Sequence, residues 1–239
     1  MRAGAPVSEL RLGDCLDPAS GLPSVADASV DLMVTDPPYV VGGAAWQGHS
    51  SRQDYQFFAS WFDRVAEELR RVAKPEACAF IFCDWRTIGL LASAFGHPPV
   101  YDRGWILSQA LVWDRDAVGM GVPFRNAFEM IAFARGPKWK RARIGRDVRT
   151  VVRHRWPYCK HAHHPAEKPL ELVEQLVRWG SDRGGLVLDP FSGSGTTALA
   201  AARLGRRFLG WESDRRVHAA AEARLQAGGV ATSDAKEAA

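Results

Sequence analysis

The sequence predicts an α/β protein whose parallel sheet is covered by helices on both faces, and three observations carry that expectation. Short apolar runs of strand length alternate with amphipathic stretches at helical spacing along most of the chain. One such run, Val30–Thr35, stops at Asp36-Pro37-Pro38, where two prolines forbid further ladder donation. Another, Gly185-Leu186-Val187-Leu188-Asp189, opens directly into a glycine turn and a helix start. At 239 residues the chain can bury a real core, and it fits one domain with a small insertion better than two full domains.

The elements follow in order. In 54–74, Phe57, Phe58, Trp61, Phe62, Val65, Leu69 and Val72 recur at helical spacing, with the helix stopped at Pro75. Residues 78–83 read as a buried strand and 87–95 as a second helix. Two β-rich segments, 106–113 and 128–134, flank a glycine-containing loop at 118–123. A basic stretch with little periodicity runs to His164, after which Pro169 opens a helix over 170–179. Strand 185–189, an Ala-rich helix 196–204, strand 207–211 and a last helix 214–226 complete the pattern. The domain is thus expected over 1–227, with 135–164 inserted and 228–239 a disordered tail.

Composition narrows the function classes. Hydrophobic content of 46% with 24% charged residues is that of an ordinary globular protein, and no apolar run reaches bilayer length, which argues against a membrane role. The first twelve residues lack the basic-then-apolar layout of a secretion signal, so the expected location is the cytoplasm. Cys15, Cys78, Cys83 and Cys159 are scattered and read as reduced thiols. The net charge of +4 is a weak guide, but its distribution is not uniform. Lys138, Lys140, Arg141, Arg143, Arg146, Arg149, Arg153 and Arg155, opposed only by Asp147, form a candidate phosphate-contacting surface. A solvated charged face would show the same pattern.

The segment from Leu186 through Asp189-Pro190-Phe191-Ser192-Gly193-Ser194-Gly195-Thr196-Thr197 to Ala198 is a strand, a tight turn and a helix start that together suit a nucleotide-like ligand. Thr196 stands where a P-loop needs lysine. A dinucleotide site is closer, since Gly193, Gly195 and Ala198 fit its spacing and Glu212 follows the next strand. An S-adenosylmethionine site, with Glu212 on the ribose, fits as well, and glycine spacing alone does not choose between the two.

Asp36-Pro37-Pro38-Tyr39 is more specific, because it sets a carboxylate, a backbone carbonyl and an aromatic face at one strand end. The exocyclic amine of adenine is a poor nucleophile, its lone pair being delocalised into the ring. If Asp36 and the Pro37 carbonyl each accept one N–H, the nitrogen can pyramidalise toward a methyl donor. The prolines pre-aim those acceptors, and Tyr39 offers a face for an extruded base. Methylation at cytosine C5 would need a thiolate, and the chain has no Pro-Cys pair.

These motifs resemble those of the DNA amino-methyltransferases, which carry a (D/N/S)PP(Y/F/W) catalytic tetrad and a D-P-F-x-G-x-G-T-T cofactor loop. Their order here, tetrad first and cofactor loop last, is similar to that of the family's β group. His164-Pro165-Ala166-Glu167-Lys168-Pro169 resembles that group's H-P-x-x-K-P element, and Gly13-Asp14 its adenine-contacting element. Trp113 and the stretch Phe128-Glu129-Met130 match weaker features. The resemblance implies a Rossmann-like methyltransferase fold, a seven-stranded mostly parallel sheet with one reversed strand. It implies S-adenosyl-L-methionine as cofactor and double-stranded DNA as partner, read by the 135–164 insertion. It places Asp36, Asp189, Phe191, Gly193, Gly195, Thr196 and Thr197 around the cofactor, with Glu212 at the ribose, Asp14 at the adenine and Lys168 near the methionine carboxylate.

Adenine N6 is the expected target, because Asp at the first tetrad position leans that way, with cytosine N4 as the alternative. An RNA or protein-glutamine methyltransferase would usually place its cofactor loop first, and a non-catalytic DNA-binding relic would be expected to lose Asp36 or Gly193. Cys159, His161, His163 and His164 are too crowded to close a zinc tetrahedron, so no metal is expected. Trp139, Trp156 and Tyr158 suit either DNA stacking or a small core, and Glu129 is left outside the catalytic set. Homodimerisation and pairing with a restriction endonuclease stay open at this level.

Overall fold

The computed structural model describes residues 8–38, 52–96, 104–119, 123–141, 144–155 and 167–231, with the side chains of 52–55 left out. Among these, strands β1 (Ser8–Leu12), β2 (Val30–Thr35), β3 (Ala73–Cys83), β4 (Ile106–Asp114), β5 (Phe128–Arg135), β6 (Val151–Arg153), β7 (Leu186–Asp189) and β8 (Arg207–Glu212) form one sheet. Its order is β1-β8-β7-β2-β3-β5-β4-β6. Only β5 runs against its neighbours: it pairs antiparallel with β3 and β4, while the other pairs are parallel.

Helices α1 (Arg52–Val72) and α2 (Ile88–Phe95) lie on one face, and α3 (Leu170–Gly180), α4 (Thr196–Arg203) and α5 (Arg215–Ala227) on the other. Phe58, Phe62, Val65, Ala66, Leu69 and Val72 form the buried stripe of α1. Each large side chain in that stripe contributes about 1.5–3 kcal/mol on leaving water. On the second face Leu172, Val173, Leu176 and Val177 of α3 pack against Leu32, Cys78 and Phe80.

The eighth strand is a departure from the expected seven. Val151–Arg153 lies inside the basic stretch and pairs with β4 at the sheet edge, Val152 opposite Trp113. Three residues with one buried side chain are too few for a period-2 pattern to show. Strand β1 was equally hidden, because Glu9 and Arg11 interrupt its apolar positions; they form an ion pair at 2.6 Å while Ser8 and Leu10 face inward.

Strand β3 also starts earlier than its apolar run suggests, with no break at Pro75. Its register against β2 jumps from Val30↔Ala73 to Leu32↔Cys78, so Pro75 sits in an irregularity where no ladder donor is required. At the other end, Gly228 to Val230 do not begin a tail: Val230 is buried and its amide bonds to the Leu225 carbonyl at 2.9 Å. The remainder of the expected tail, 232–239, lies outside the described residues.

From β7 the chain crosses through α4 to β8, and from β2 through α1 to β3, so the crossovers leave in opposite directions. Such a switch point opens a crevice at the C-terminal ends of the two strands. Asp189 ends β7 and Asp36 follows β2, so the two motifs face each other across it.

Candidate active site at the switch point

The glycine loop is shaped by its neighbours. Gly193 (φ +49°) and Gly195 (φ +75°) take left-handed conformations that side-chain-bearing residues adopt at a cost. Gly195 caps α4 with no side-chain acceptor on the first turn, leaving amide N–H groups at the loop. The loop lies so close to β8 that a Cβ on Gly210 would fall 2.2 Å from Ser192 Oγ and 2.6 Å from the Asp189 carbonyl. A Cβ on Gly193, by contrast, would meet nothing within 4 Å, so that backbone faces open space.

Glu212 ties the rim together. Its Oε2 accepts from the Gly193 amide at 3.1 Å and its Oε1 from the Asp214 amide at 2.7 Å. Its carbonyl accepts from the Gly13 amide at 2.9 Å, which brings the Gly13-Asp14 turn to the same rim. The Asp14 carboxylate accepts from the Leu16 amide at 2.9 Å. The Phe191 ring packs on Trp61 at 5.5 Å between centroids. Each carboxylate oxygen of Glu212 can accept a second bond. Glu212 is thus able to accept from the hydroxyls of a ribose, and the Gly13-Asp14 turn lies on the same rim.

Two hydroxyls in the motif turn inward. Thr196 Oγ1 accepts from Arg224 at 2.9 Å, and Thr197 Oγ1 reaches the Val34 carbonyl at 3.5 Å. Both are buried, and these bonds tie the loop to α5 and β2. Asp189, also buried, accepts from Thr35 Oγ1 at 2.7 Å and from the Phe191 amide at 3.1 Å. The Thr35 bond crosses the switch point and joins the glycine loop to the strand that carries Asp36. Burial pushes the Asp189 carboxyl up to about 6, against the lowering effect of these donors.

Asp36 stands at the end of β2 with its carboxylate about a quarter exposed. The Lys168 ammonium lies 2.7 Å from Asp36 Oδ2 and 3.2 Å from Glu129 Oε2. Glu129 Oε1 in turn sits 3.5 Å from Arg115 Nη1. Charges thus alternate through Asp36, Lys168, Glu129 and Arg115, and Lys168 Nζ rests over the Phe82 ring at 5.1 Å. Burial opposes the Lys168 charge, but the two carboxylates outweigh it and hold its proton more tightly than usual. The structure therefore places Lys168 on the Asp36 carboxylate, and it brings in Glu129, which stands outside the catalytic set expected from the sequence. The weak family likeness of Phe128-Glu129-Met130 assigns Glu129 no partner: its place beside Lys168 depends on β5 lying beside β3, a pairing of distant segments. Tyr39 lies outside the described residues.

Lys138, Lys140, Arg141, Arg146, Arg149, Arg153 and Arg155 are exposed, and Arg143 lies outside the described residues. Arg153 pairs with Asp114 at 3.0 Å, so its charge is partly engaged. Trp139 packs edge-on against Phe133 at 5.2 Å and belongs to the core, whereas Trp156, Tyr158 and the cluster from Cys159 to His164 lie outside the described residues. Among the described residues no group of His, Cys, Asp and Glu could hold a metal, and no helix is long and apolar enough to cross a membrane. Cys15, Cys78 and Cys83 are buried and form no disulfide among the described residues, and burial pushes the Cys15 and Cys83 thiols up to about 12, far from a nucleophilic thiolate.

A sheet with one reversed strand, a glycine loop on β7 and an acidic-diproline turn on β2 define a Rossmann-like methyltransferase. Comparison with known proteins agrees. The family model described as DNA methylase, of the N6/N4 type, matches residues 30–223. A protein of Escherichia coli (strain K12) named as a methylase, YubD, is 30% identical over 215 residues, covering 90% of this chain and 88% of its own. Type II methyltransferase M1.MboII of Moraxella bovis is 26% identical over 258 residues, covering 85% and 91%. Among solved structures, TTHA0409 of Thermus thermophilus, complexed with S-adenosyl-L-methionine, aligns with TM-score 0.71 and 26% identity over 93% of this chain and 94% of its own. The cytosine-N4-specific PvuII DNA methyltransferase shares the fold, with TM-score 0.73 and 17% identity over 92% and 87%. The chain belongs to the N6/N4 family of S-adenosylmethionine-dependent DNA methyltransferases.

Proposed function

We propose that this methyltransferase acts on N6 of adenine in double-stranded DNA, on a base swung out of the duplex into the crevice beside Asp36. The observation that carries the reading is the Asp36 carboxylate, partly exposed at the switch point and held by Lys168 at 2.7 Å. S-adenosylmethionine supplies an electrophilic methyl group on a sulfonium. Asp36 and the Pro37 carbonyl accept the two amine N–H bonds, which localises the lone pair on nitrogen. Attack by the nitrogen lone pair on that methyl would displace a neutral thioether, which keeps the S–C electron pair, and the alkylated amine would pass its extra proton through the partly exposed Asp36 carboxylate to water. Lys168 orients the carboxylate throughout, while Gly193, Phe191, Glu212 and Asp14 hold the cofactor. Catalysis then rests on positioning and electrostatics.

DNA reaches this site from the C-terminal edge of the sheet. Trp85 follows β3, Phe124 lies in the β4–β5 hairpin and Phe128 opens β5, all at that edge and each at least half exposed. Flat apolar side chains in such numbers suit unstacked bases, and the basic 135–164 segment suits the flanking phosphates.

The test is to methylate mixed-sequence DNA with the parent chain and Asp36→Ala, then digest the product and weigh the nucleosides. N6-methyladenine with the parent and none with the variant is expected. N4-methylcytosine would overturn the adenine assignment, and undiminished transfer by Asp36→Ala would overturn the role of the carboxylate.

A further inference from the structure

We propose that Arg224 is a positioning residue that joins the cofactor loop to the Lys168 element, so that one guanidinium sets both the loop and the catalytic carboxylate. Arg224 lies on α5, on the face turned to the glycine loop. Its Nη1 faces three acceptors of the loop: the Ser194 carbonyl at 2.9 Å, Ser194 Oγ at 3.2 Å and Thr196 Oγ1 at 2.9 Å. Its Nη2 pairs with Glu167. The Arg224 and Glu167 side chains are only 13% and 15% exposed. Glu167 directly precedes Lys168, whose ammonium holds Asp36. The connection therefore runs without interruption from the loop through Arg224 and Glu167 to Lys168 and Asp36.

The chemistry of the guanidinium suits that task. Its two Nη groups are fixed in one plane, so a displacement of the acceptors on one side re-aims the donor on the other. A lysine could serve either side but would not rigidly relate them. Nor is Arg224 needed simply to hold α5 in place. That helix is capped by Asp214, which accepts from the Arg216 and Val217 amides, and is packed by Ala221 and Leu225. The loop likewise has its own backbone bonds, Ser192 N to the Trp211 carbonyl and Gly195 N to the Ser192 carbonyl, both at 2.8 Å. What Arg224 adds is the link between two segments that are 27 residues or more apart in sequence. Residues that touch the two partners separately can then be distinguished by which property they change.

This inference rests on the assignment of the glycine loop to the cofactor, and the experiment separates the two. Calorimetry with S-adenosylhomocysteine reads cofactor-site affinity, single-turnover transfer of label to total DNA reads the chemical step whatever the base, and melting reads the fold. Gly193→Trp tests the loop itself, since a side chain there projects into open space. It is expected to abolish binding; unchanged binding would remove the loop assignment and the coupling with it.

Arg224→Gln is expected to weaken binding about tenfold and to slow transfer at saturating cofactor, whereas Glu167→Gln slows transfer about tenfold with binding close to parental. Arg224→Lys keeps the charge without the planar fork and is expected to resemble Arg224→Gln, which keeps the test open if the glutamine variant does not fold. Loss of binding in Gly193→Trp alongside parental binding and transfer in Arg224→Lys and Glu167→Gln would overturn the coupling alone. So would losses in both that follow the melting temperature and disappear on cooling.

Discussion

Lys168 Nζ lies 2.7 Å from Asp36 Oδ2, so the carboxylate expected to receive the substrate amine is itself held by a buried cation from a segment 132 residues further along the chain. Glu129 holds the same ammonium from the other side at 3.2 Å. An acceptor fixed in this way need not reorganise as the amine pyramidalises, and that is how preorganised charge lowers a barrier. Lys168→Met, similar in length but uncharged, is therefore expected to lower single-turnover transfer by about a hundredfold or more. It leaves the Glu129 and Asp36 charges without their shared partner, so the fold should lose about 3 kcal/mol. Parental turnover in a folded Lys168→Met chain would contradict the positioning role.

Asp189 provides a pH signature. Its folded carboxyl titrates at about 6, the unfolded one near the ordinary 3.8. The folded state therefore binds the proton more tightly, and as pH rises from about 4 to 6 this group alone costs the fold about 3 kcal/mol. Asp189→Asn keeps an oxygen to accept from Thr35 and from the Phe191 amide but cannot ionise. The difference in melting temperature between variant and parent should grow in the variant's favour across that window and level off above it. A difference that stays flat from pH 4 to 7 would argue against the burial account.

Gly210 sets how close β8 comes to the glycine loop. In Gly210→Ala the new methyl meets Ser192 Oγ, Phe208 Cζ at 2.5 Å and the Asp189 carbonyl, two of which belong to the loop and its strand. Overpacking of this kind costs about 1–3 kcal/mol. Because the loop must move, affinity for S-adenosylhomocysteine should fall as well. Calorimetry and melting on the same preparation check both, and parental values in both would sink the argument.

The basic segment and the edge aromatics should contribute to DNA binding in different ways. Replacing Lys140, Arg146 and Arg149 together by alanine is expected to reduce the slope of log K against log salt by about 0.9 for each lost phosphate contact. Trp85→Ala should leave that slope unchanged and weaken binding by about 1–3 kcal/mol. Anisotropy titrations over a range of salt separate the two; no change in slope for the triple variant would place the DNA elsewhere.

The elements that position the site were legible because their signals are local. Val30–Thr35 and Leu186–Asp189 announce themselves as apolar runs, each cut off by residues that cannot continue a strand. The α1 stripe follows the helical period, and Gly193 and Gly195 stand where the turn needs left-handed backbone. Strand β6 was not legible, since three residues in a basic stretch make a strand only when β4 offers an edge to them.

The sequence by itself determined the fold class, the glycine turn and the acidic-diproline turn, because periodicity, proline placement and glycine conformation are properties of a few neighbouring residues. Only the tertiary structure decided what surrounds Asp36. Lys168, Glu129, Arg115, Glu167 and Arg224 come from α5, the β4–β5 hairpin and the segment before α3, and side-chain charges far apart in sequence acquire partners only when the sheet is assembled. Ion pairing in a buried site depends on distance and desolvation, and neither can be read along the chain.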